Sequence, residues 1–213
     1  MLKSQDFLVL IKLIGLHREL LKRIHYPPNS RIGRFEEDDK YQEDDVDLRF
    51  YEMFSVRGLG ASLGISKTEV SASLRRCSES NLLFLINNHG VISLANLNWK
   101  VNKKAIFNLI KHAVPYLYPP KLLGFDIGIP TGFSGPALSE EVTSAGNSKI
   151  IWPSEYGEAY GQVLEPIYKT IAFASYQDEF VYNCFSLIDA YRLGKAREKD
   201  IAINLLEKKI LGD

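Results

Sequence analysis

The pattern of apolar residues near the start of the chain predicts one long helix. Ser4 can cap this helix, and Pro27-Pro28 ends it at about Ile24. The apolar residues that keep the spacing of one helical face are Phe7, Leu10, Ile11, Ile14 and Leu21. Since most other positions in this stretch are also apolar, the helix is expected to be buried on more than one side, either in the core or in a dimer interface.

A helical hairpin is predicted by short apolar segments around a glycine. After a short helix at 48–54, Ser55 is placed to cap a second helix from Val56 to Leu63. Gly64 then ends that helix in the left-handed conformation that a tight turn between helices requires. Ile65 is expected to be the buried residue of this turn.

A third helix is predicted directly after the turn. Ser66 can cap it, and Glu69, three residues later, completes the sequence pattern of a capping box. Its inward face is predicted to consist of Val70, Leu74 and Cys77. The opposite face carries short, polar or basic residues that can approach base edges and phosphates: Lys67, Thr68, Ser71, Ala72 and Arg75.

The stretch "LLFLINNHGVISL" after Asn81 predicts a β-hairpin. Two alternating strands flank Asn88-His89-Gly90, which is a good signal for a tight turn. The order of a helix, a helix–turn–helix and a hairpin is that of a winged helix. The N-terminal unit is therefore predicted to span residues 1–100.

The second half, residues 101–213, is predicted to be helical and irregular. A helix from Lys103 to Ala113 stops near Pro115, and a Gly- and Pro-rich segment follows at 115–168, with a short helix near 136–144 that Ser134 can cap. Two final helices are predicted at 178–193 and 195–211. The fold class is thus mainly α with a small β-hairpin, a winged helix-turn-helix plus a C-terminal helical region.

The composition fits a protein with a substantial core. Hydrophobic residues make up 46% of the 213 residues, and no apolar run reaches the length that a spanning helix needs. The apolar start lacks a small-residue cleavage site and does not read as a signal peptide. With only Cys77 and Cys184 present, a cytoplasmic protein without a membrane partner is expected.

Charge is distributed very unevenly, although the formal net charge is zero. By segment, the net charge is +5 for residues 1–35, −7 for 36–47, +7 for 48–121 and −5 for 122–213. The predicted helical hairpin therefore lies in the most basic segment, where a phosphate-binding surface is expected.

The acidic segment 36–47 has two interpretations. Eight carboxylates within twelve residues repel one another and favour a solvated loop. The alternative is a Ca²⁺ or Mg²⁺ site, but the acids lack the alternating spacing, the central glycine and the distal glutamate of an EF-hand loop. No metal and no cofactor are therefore predicted.

No catalytic arrangement is evident in the sequence. The four histidines at 17, 25, 89 and 112 form no metal-ligand pair, and both cysteines fall on predicted core faces. Ser134 stands in "GFSGP", which lacks the final glycine of a nucleophile elbow because Pro136 occupies that position. An enzyme is therefore not expected.

The segment 48–95, with "LGISKTEVSASLRR" at its centre, resembles the winged helix-turn-helix of bacterial transcriptional regulators. It departs from that pattern at Gly58 and Gly60, each costing about 1 kcal/mol of helix stability relative to alanine, and at Cys77, where leucine is commoner. The whole chain, including "GIPTGFSGPALSEE" and "LEPIY", resembles a family of small MarR-like regulators, relative to which 25–47 is an insertion.

The predicted function is that of a sequence-specific regulator that binds double-stranded DNA as a homodimer, through helix 66–77 and the hairpin. The DNA-contacting residues are predicted to be Ser66, Lys67, Thr68, Ser71, Ala72, Arg75, Arg76 and His89. The dimer seam is predicted on the apolar face of helix 4–24, with the helices after Asp178. The alternative is an antitoxin-like or defence-linked adaptor that binds a protein partner through segment 115–168.

Overall fold

The computed structural model describes residues 1–25, 50–85, 99–138 and 149–212, in which helices predominate and two small sheets occur. The helices are α1 (Ser4–His25), α2 (Val56–Leu63), α3 (Lys67–Glu79), α4 (Lys103–Leu117), α5 (Ile171–Gln177), α6 (Glu179–Leu193) and α7 (Ala196–Leu211). The strands are β1 (Leu83–Leu85), β2 (Trp99–Val101), β3 (Leu122–Pro130), β4 (Lys149–Pro153) and β5 (Ala159–Leu164). The prediction of a mainly helical chain with a small antiparallel strand pair is confirmed.

Helix α1 runs through the interior of the molecule. It packs against α2, α3, α6 and β2, and its buried apolar side chains are Phe7, Leu8, Val9, Leu10, Ile11, Leu13, Ile14, Leu16 and Leu20. The predicted helix is confirmed. Its apolar face is already covered by the same chain, so the part of the predicted dimer seam on this face is wrong, while the part on the helices after Asp178 stays a prediction.

An ion pair fixes α1 against α6. The Lys12 side chain is 4% exposed, and its Nζ lies 2.7 Å from Oδ2 of Asp178. The other carboxylate oxygen of Asp178 accepts a hydrogen bond from the backbone N–H of Val181 and so caps α6. The buried ammonium group is thereby paired, as a charge in an apolar core must be. Among the described helices, none is both long and apolar enough to cross a membrane.

The pair α2–α3 forms as the sequence predicts. The Ser55 hydroxyl accepts a hydrogen bond from the N–H of Gly58 at 2.9 Å, and the Ser66 hydroxyl accepts one from Glu69 at 3.2 Å. Gly64 has φ 65°, in the left-handed region, and Ile65 behind it is buried. Two caps and one glycine therefore set the boundaries of both helices.

The two glycines inside α2 have a steric reason. A Cβ atom added at Gly58 would lie 2.2 Å from the carbonyl oxygen of Glu52, and one added at Gly60 would lie 2.7 Å from that of Ile65. The chain before α2 and the turn after it both approach the helix too closely for a side chain. The tight packing around α2 thus requires glycine at both positions, although glycine lowers the helix propensity.

Strand β1 pairs antiparallel with β2, with Leu83 opposite Val101 and Leu85 opposite Trp99. The expected antiparallel partner of β1 thus exists, but it lies later in the chain than the second predicted strand. The predicted turn Asn88-His89-Gly90 and that second predicted strand lie outside the described residues.

A three-stranded sheet replaces most of the irregular structure that was predicted for 115–168. β3 pairs antiparallel with both β4 and β5, while β4 and β5 pair in parallel, so the three strands close on one another. The close crossing requires glycine, because a Cβ at Gly128 would lie 1.9 Å from the carbonyl oxygen of Trp152. Gly128, one of the glycines that indicated a loop in the sequence, is thus the residue that allows β3 and β4 to meet so closely.

The remaining helices agree with the prediction in part. α6 and α7 lie within a residue of the predicted bounds at 178–193 and 195–211, but α4 continues through Pro115 to Leu117 and α5 was not predicted. A short 3₁₀ turn at Gly132–Ser134 precedes the stretch where a helix was predicted at 136–144, of which 139–144 lie outside the described residues.

A buried polar network attaches the three-stranded sheet to α6. Oδ2 of Asp189 accepts hydrogen bonds from Thr131 Oγ1 at 2.9 Å and Trp152 Nε1 at 2.7 Å. Arg192 Nη1 donates to Oδ1 of the same carboxylate at 2.6 Å, and its Nε donates to the carbonyl of Tyr118 at 2.7 Å. Burial raises the pKa of Asp189, and the Arg192 guanidinium and the two other donors oppose this rise.

Helix α5 links the sheet region to the helical hairpin. It packs against α2, and a Cβ added at Gly64 would lie 3.0 Å from the ring of Phe173 on α5. The turn between α2 and α3 therefore rests directly on α5.

Candidate nucleic-acid interface

Helix α3 divides cleanly into an inward and an outward face. Val70, Ser73 and Cys77 are buried, and Leu74 packs half-buried against the same core. The outward side chains that are exposed are Ser66, Lys67, Thr68, Ser71 and Arg75, while Ala72 is half-buried beside them. We call these six residues the α3 face. Helical spacing predicted five of them on this side of the helix, and Ser66 was predicted as its N-cap.

Arg76, also predicted to contact DNA, faces α1 instead. Its Nε and Nη2 donate to the two carboxylate oxygens of Asp6 at 2.9 and 2.7 Å, and the two side chains are only 13% and 1% exposed. The hydrogen bond to Asp6 raises the pKa of Arg76. Such a two-pronged charged contact fixes orientation as well as distance. Arg76 therefore holds α3 in place on α1.

Glu69 belongs to the same anchoring contact. Its Oε1 accepts a hydrogen bond of 2.5 Å from Gln5 Nε2 on α1 and lies 3.7 Å from Arg76 Nη2. The predicted capping box is thus present in its first half, the Ser66 hydroxyl, while the Glu69 carboxylate binds α1. With Arg76, this gives two side chains of α3 that fix its rotation about its own axis.

Further basic side chains are exposed on the elements around α3. Arg57 lies at the start of α2, Lys100 on β2 and Lys104 in the first turn of α4. Arg75 is 76% exposed and lies 3.9 Å from Glu79, a contact that water screens strongly. Lys100 stands opposite Phe84 of β1, so both project from one face of the strand pair.

Two parts of the sequence prediction lie outside the described residues. One is His89, which was predicted to contact the DNA backbone or minor groove, and the other is the acidic segment 36–47.

Residues considered for catalysis take structural roles. The Ser134 hydroxyl accepts a hydrogen bond from the backbone N–H of Ile150 at 3.1 Å, which ties the 3₁₀ turn to β4. Burial raises the pKa of both cysteine thiols, Cys77 and Cys184, to about 12. Within the described ranges, no group of three or more histidine, cysteine or acidic side chains is placed to hold a metal ion.

Comparing the chain with protein-family models, with curated proteins and with solved structures returned no match. The resemblance to MarR-like regulators therefore stays a prediction.

A second exposed surface was missed in the sequence. Leu122, Leu123, Phe125 and Ile127 of β3, with Tyr160 of β5, are each 47–68% exposed, and the rings of Phe125 and Tyr160 stack at 5.9 Å. We call these five residues the β3 surface. The available signal was the alternation in "LGFDIG", where Leu123, Phe125 and Ile127 occupy every second position.

Proposed function

We propose that this protein is a transcriptional regulator that binds double-stranded DNA through the α2–α3 pair, with β1 and β2 as the base of a wing. In a helix-turn-helix protein the second helix enters the major groove, and residues of its N-terminal half reach the base edges. Here α3 is the second helix, and Lys67, Thr68 and Ser71 are exposed in its N-terminal half. A regulator of this kind acts in the cytoplasm, where buried thiols stay reduced.

The observation that carries this proposal is the contrast between Arg75 and Arg76. Arg75 projects into solvent, whereas the neighbouring Arg76 is used to fix the helix on α1. A recognition helix needs both an outward face of short polar and basic groups and a rigid support behind it. The positive end of the helix dipole at Lys67 also favours phosphate oxygens at this end of α3.

Salt-dependent DNA binding tests the proposal. We expect Lys67→Ala/Arg75→Ala to weaken binding to duplex DNA and to reduce the slope of log K against log salt by about one unit per lost phosphate contact. Fluorescence anisotropy with a labelled duplex at several salt concentrations measures both quantities. Lys169→Ala/Arg197→Ala is the matched control, since it removes the same charge from exposed positions outside α2–β2.

Two results would contradict the proposal. If both double variants lose affinity equally, the binding reflects overall charge and α3 is not the interface. If the wild type binds no duplex at low salt, the DNA-binding proposal fails altogether.

The β3 surface favours a protein-binding role for the C-terminal half, and we propose a second copy of this chain as its partner. Residues 122–127 of β3 pair with β5 on one edge, and β4 pairs only with 128–130. The carbonyl of Ile127 accepts a hydrogen bond from the backbone N–H of Ser154 after β4, but the other edge of 122–126 has no strand beside it among the described residues. An exposed apolar edge of this kind pairs readily with another strand, and antiparallel self-pairing satisfies two-fold symmetry.

The exposed apolar area is large enough for such an interface. Five large apolar side chains of about 200 Å² each at these exposures give the β3 surface roughly 500 Å². Two copies would together bury roughly 1,000 Å², the lower limit for a specific interface. The β3 surface and the α3 face have no residue in common.

A further inference from the structure

A cavity of about 350 Å³ lies at the junction of β3, the 154–158 loop, α5 and α6. Its walls include three tyrosines from three parts of the chain: Tyr156 from the loop, Tyr176 from α5 and Tyr182 from α6. This size is in the range of small-molecule sites. No residue that lines the cavity belongs to the α3 face or to the β3 surface. The proposed DNA and dimer contacts therefore do not account for the three tyrosines.

The three tyrosine rings lie in the cavity wall, and contacts with neighbouring residues hold them in place. Tyr156 and Tyr176 stack with their ring centroids 5.4 Å apart. Tyr182 donates a hydrogen bond of 2.7 Å from its hydroxyl to the carbonyl of Pro130, and its ring packs 6.0 Å from that of Trp152. Because this hydrogen bond fixes the hydroxyl, the ring of Tyr182 is held in one position at the cavity wall.

The charge around the cavity is negative. Glu158 lies in its wall, and no lysine or arginine is among the described residues that line it. The neighbouring Glu155, hydrogen-bonded to the Tyr156 hydroxyl and close to it, raises the pKa of Tyr156. A negative carboxylate beside electron-rich ring faces disfavours an anionic ligand and attracts a cation.

One polar group at the wall lacks a partner. Ser175 is 4% exposed and lines the cavity, and its hydroxyl makes no hydrogen bond to the described residues. Buried hydroxyls are normally paired. Because its oxygen is almost fully enclosed by protein atoms, Ser175 contributes to the shape of the wall, and the contacts with a ligand fall to the tyrosine rings and Glu158.

We infer that this cavity binds a small organic cation, an alkylammonium group held by Tyr156, Tyr176 and Tyr182 and balanced by Glu158. The cavity of about 350 Å³ is bounded by all three tyrosines and by Glu158, so a cation bound in it adjoins the aromatic rings, whose quadrupoles attract positive charge. A trimethylammonium head group fits this space. The inference does not depend on DNA binding.

Calorimetric titration of the full chain with choline tests the inference, with 3,3-dimethylbutan-1-ol as the comparison ligand. The two molecules have nearly the same shape, but only choline is charged. We expect saturable binding of choline that is at least about tenfold tighter than that of the neutral alcohol. Equal affinity for both ligands, or no saturable binding of choline at tens of millimolar, overturns the inference.

Variants locate the site. Tyr176→Leu is expected to weaken choline binding about tenfold, whereas Tyr176→Phe keeps the ring and stays within about twofold of the wild type. Glu158→Gln is expected to weaken it about threefold at low salt and less at high salt. Tyr116→Leu removes another exposed tyrosine, which lies outside the cavity, and serves as the control. If Tyr116→Leu weakens binding as much as Tyr176→Leu, choline binds elsewhere.

Discussion

The α3 face and the β3 surface are both exposed, yet they are chemically opposite. The first presents short polar and basic side chains on a helix whose apolar residues all turn inward. The second presents leucine, isoleucine and aromatic side chains on a strand that is largely uncovered. Exposed polar and basic side chains suit contact with a phosphate backbone, whereas a contiguous patch of exposed apolar side chains is typical of a contact with another protein. On the proposed function, the α3 face would bind DNA and the β3 surface would bind a second copy of the chain.

The supports behind the two surfaces also differ. α3 is fixed on α1 by two side chains at the edge of the core, Arg76 paired with Asp6 and Glu69 bound to Gln5. The three-stranded sheet is fixed by a fully buried carboxylate, Asp189, which accepts hydrogen bonds from three side chains. The sheet should therefore depend more heavily on a single residue than α3 does.

The largest expected effect follows from removing that carboxylate. Asp189→Ala leaves the Arg192 guanidinium buried and unpaired, and we expect a loss of about 3–5 kcal/mol in the free energy of unfolding. Urea denaturation followed by circular dichroism measures this loss. Asp126→Ala, at an exposed position of β3, should stay within about 0.5 kcal/mol of the wild type. A loss below about 1 kcal/mol for Asp189→Ala would mean that the network adds little net stability.

A smaller effect is expected for the pair that supports α3. Arg76→Met keeps the apolar stem but leaves the buried Asp6 carboxylate with only the Lys3 backbone N–H as a donor. It should cost about 2–3 kcal/mol, less than breaking a fully buried pair, because Arg76 is partly exposed. Arg75→Met should leave stability unchanged within about 0.5 kcal/mol but weaken DNA binding. Chemical denaturation of both variants, with anisotropy on the folded proteins, gives the comparison. Equal stability losses would contradict the assignment of different roles to these neighbours.

The smallest effect on folding is expected at the β3 surface, although its effect on assembly is large. Phe125→Ser/Ile127→Ser should leave the unfolding free energy nearly unchanged, since both side chains are exposed, and should convert the proposed dimer to a monomer. Sedimentation velocity at micromolar concentrations measures the oligomeric state. Phe84→Ser, at an exposed apolar residue of β1, is the control. A wild-type protein that sediments as a monomer at tens of micromolar would rule out self-association and leave another protein as the partner.

The sequence predicted α2 and α3 well because their signals are local. Ser55, Gly64 and Ser66 define both helices through hydrogen bonds and backbone conformation within a few residues. The face of α3 followed from helical spacing for the same reason. Arg76 was misjudged because its partner, Asp6, lies 70 residues away, and helical spacing does not reveal such a contact.

The three-stranded sheet was missed because its pairing is not local. β3 finds its partners in β4 and β5, beyond a separate turn, and Gly124, Gly128 and Pro130 made its sequence look like a loop. The Thr131 hydroxyl that helps to attach it is hydrogen-bonded to a residue 58 positions later. The tyrosine cavity depends on the same long-range packing, so its residues showed no shared pattern in the sequence.

Helix α5 stands between two of the sites. One side of this seven-residue helix supports the turn at Gly64 through Phe173, and the same helix contributes Ser175 and Tyr176 to the cavity wall. If a bound cation stabilises one position of α5, it necessarily changes the free energy of the helix pair that rests on it. Linkage then makes the effect reciprocal: the factor by which the cation alters affinity for DNA equals the factor by which DNA alters affinity for the cation.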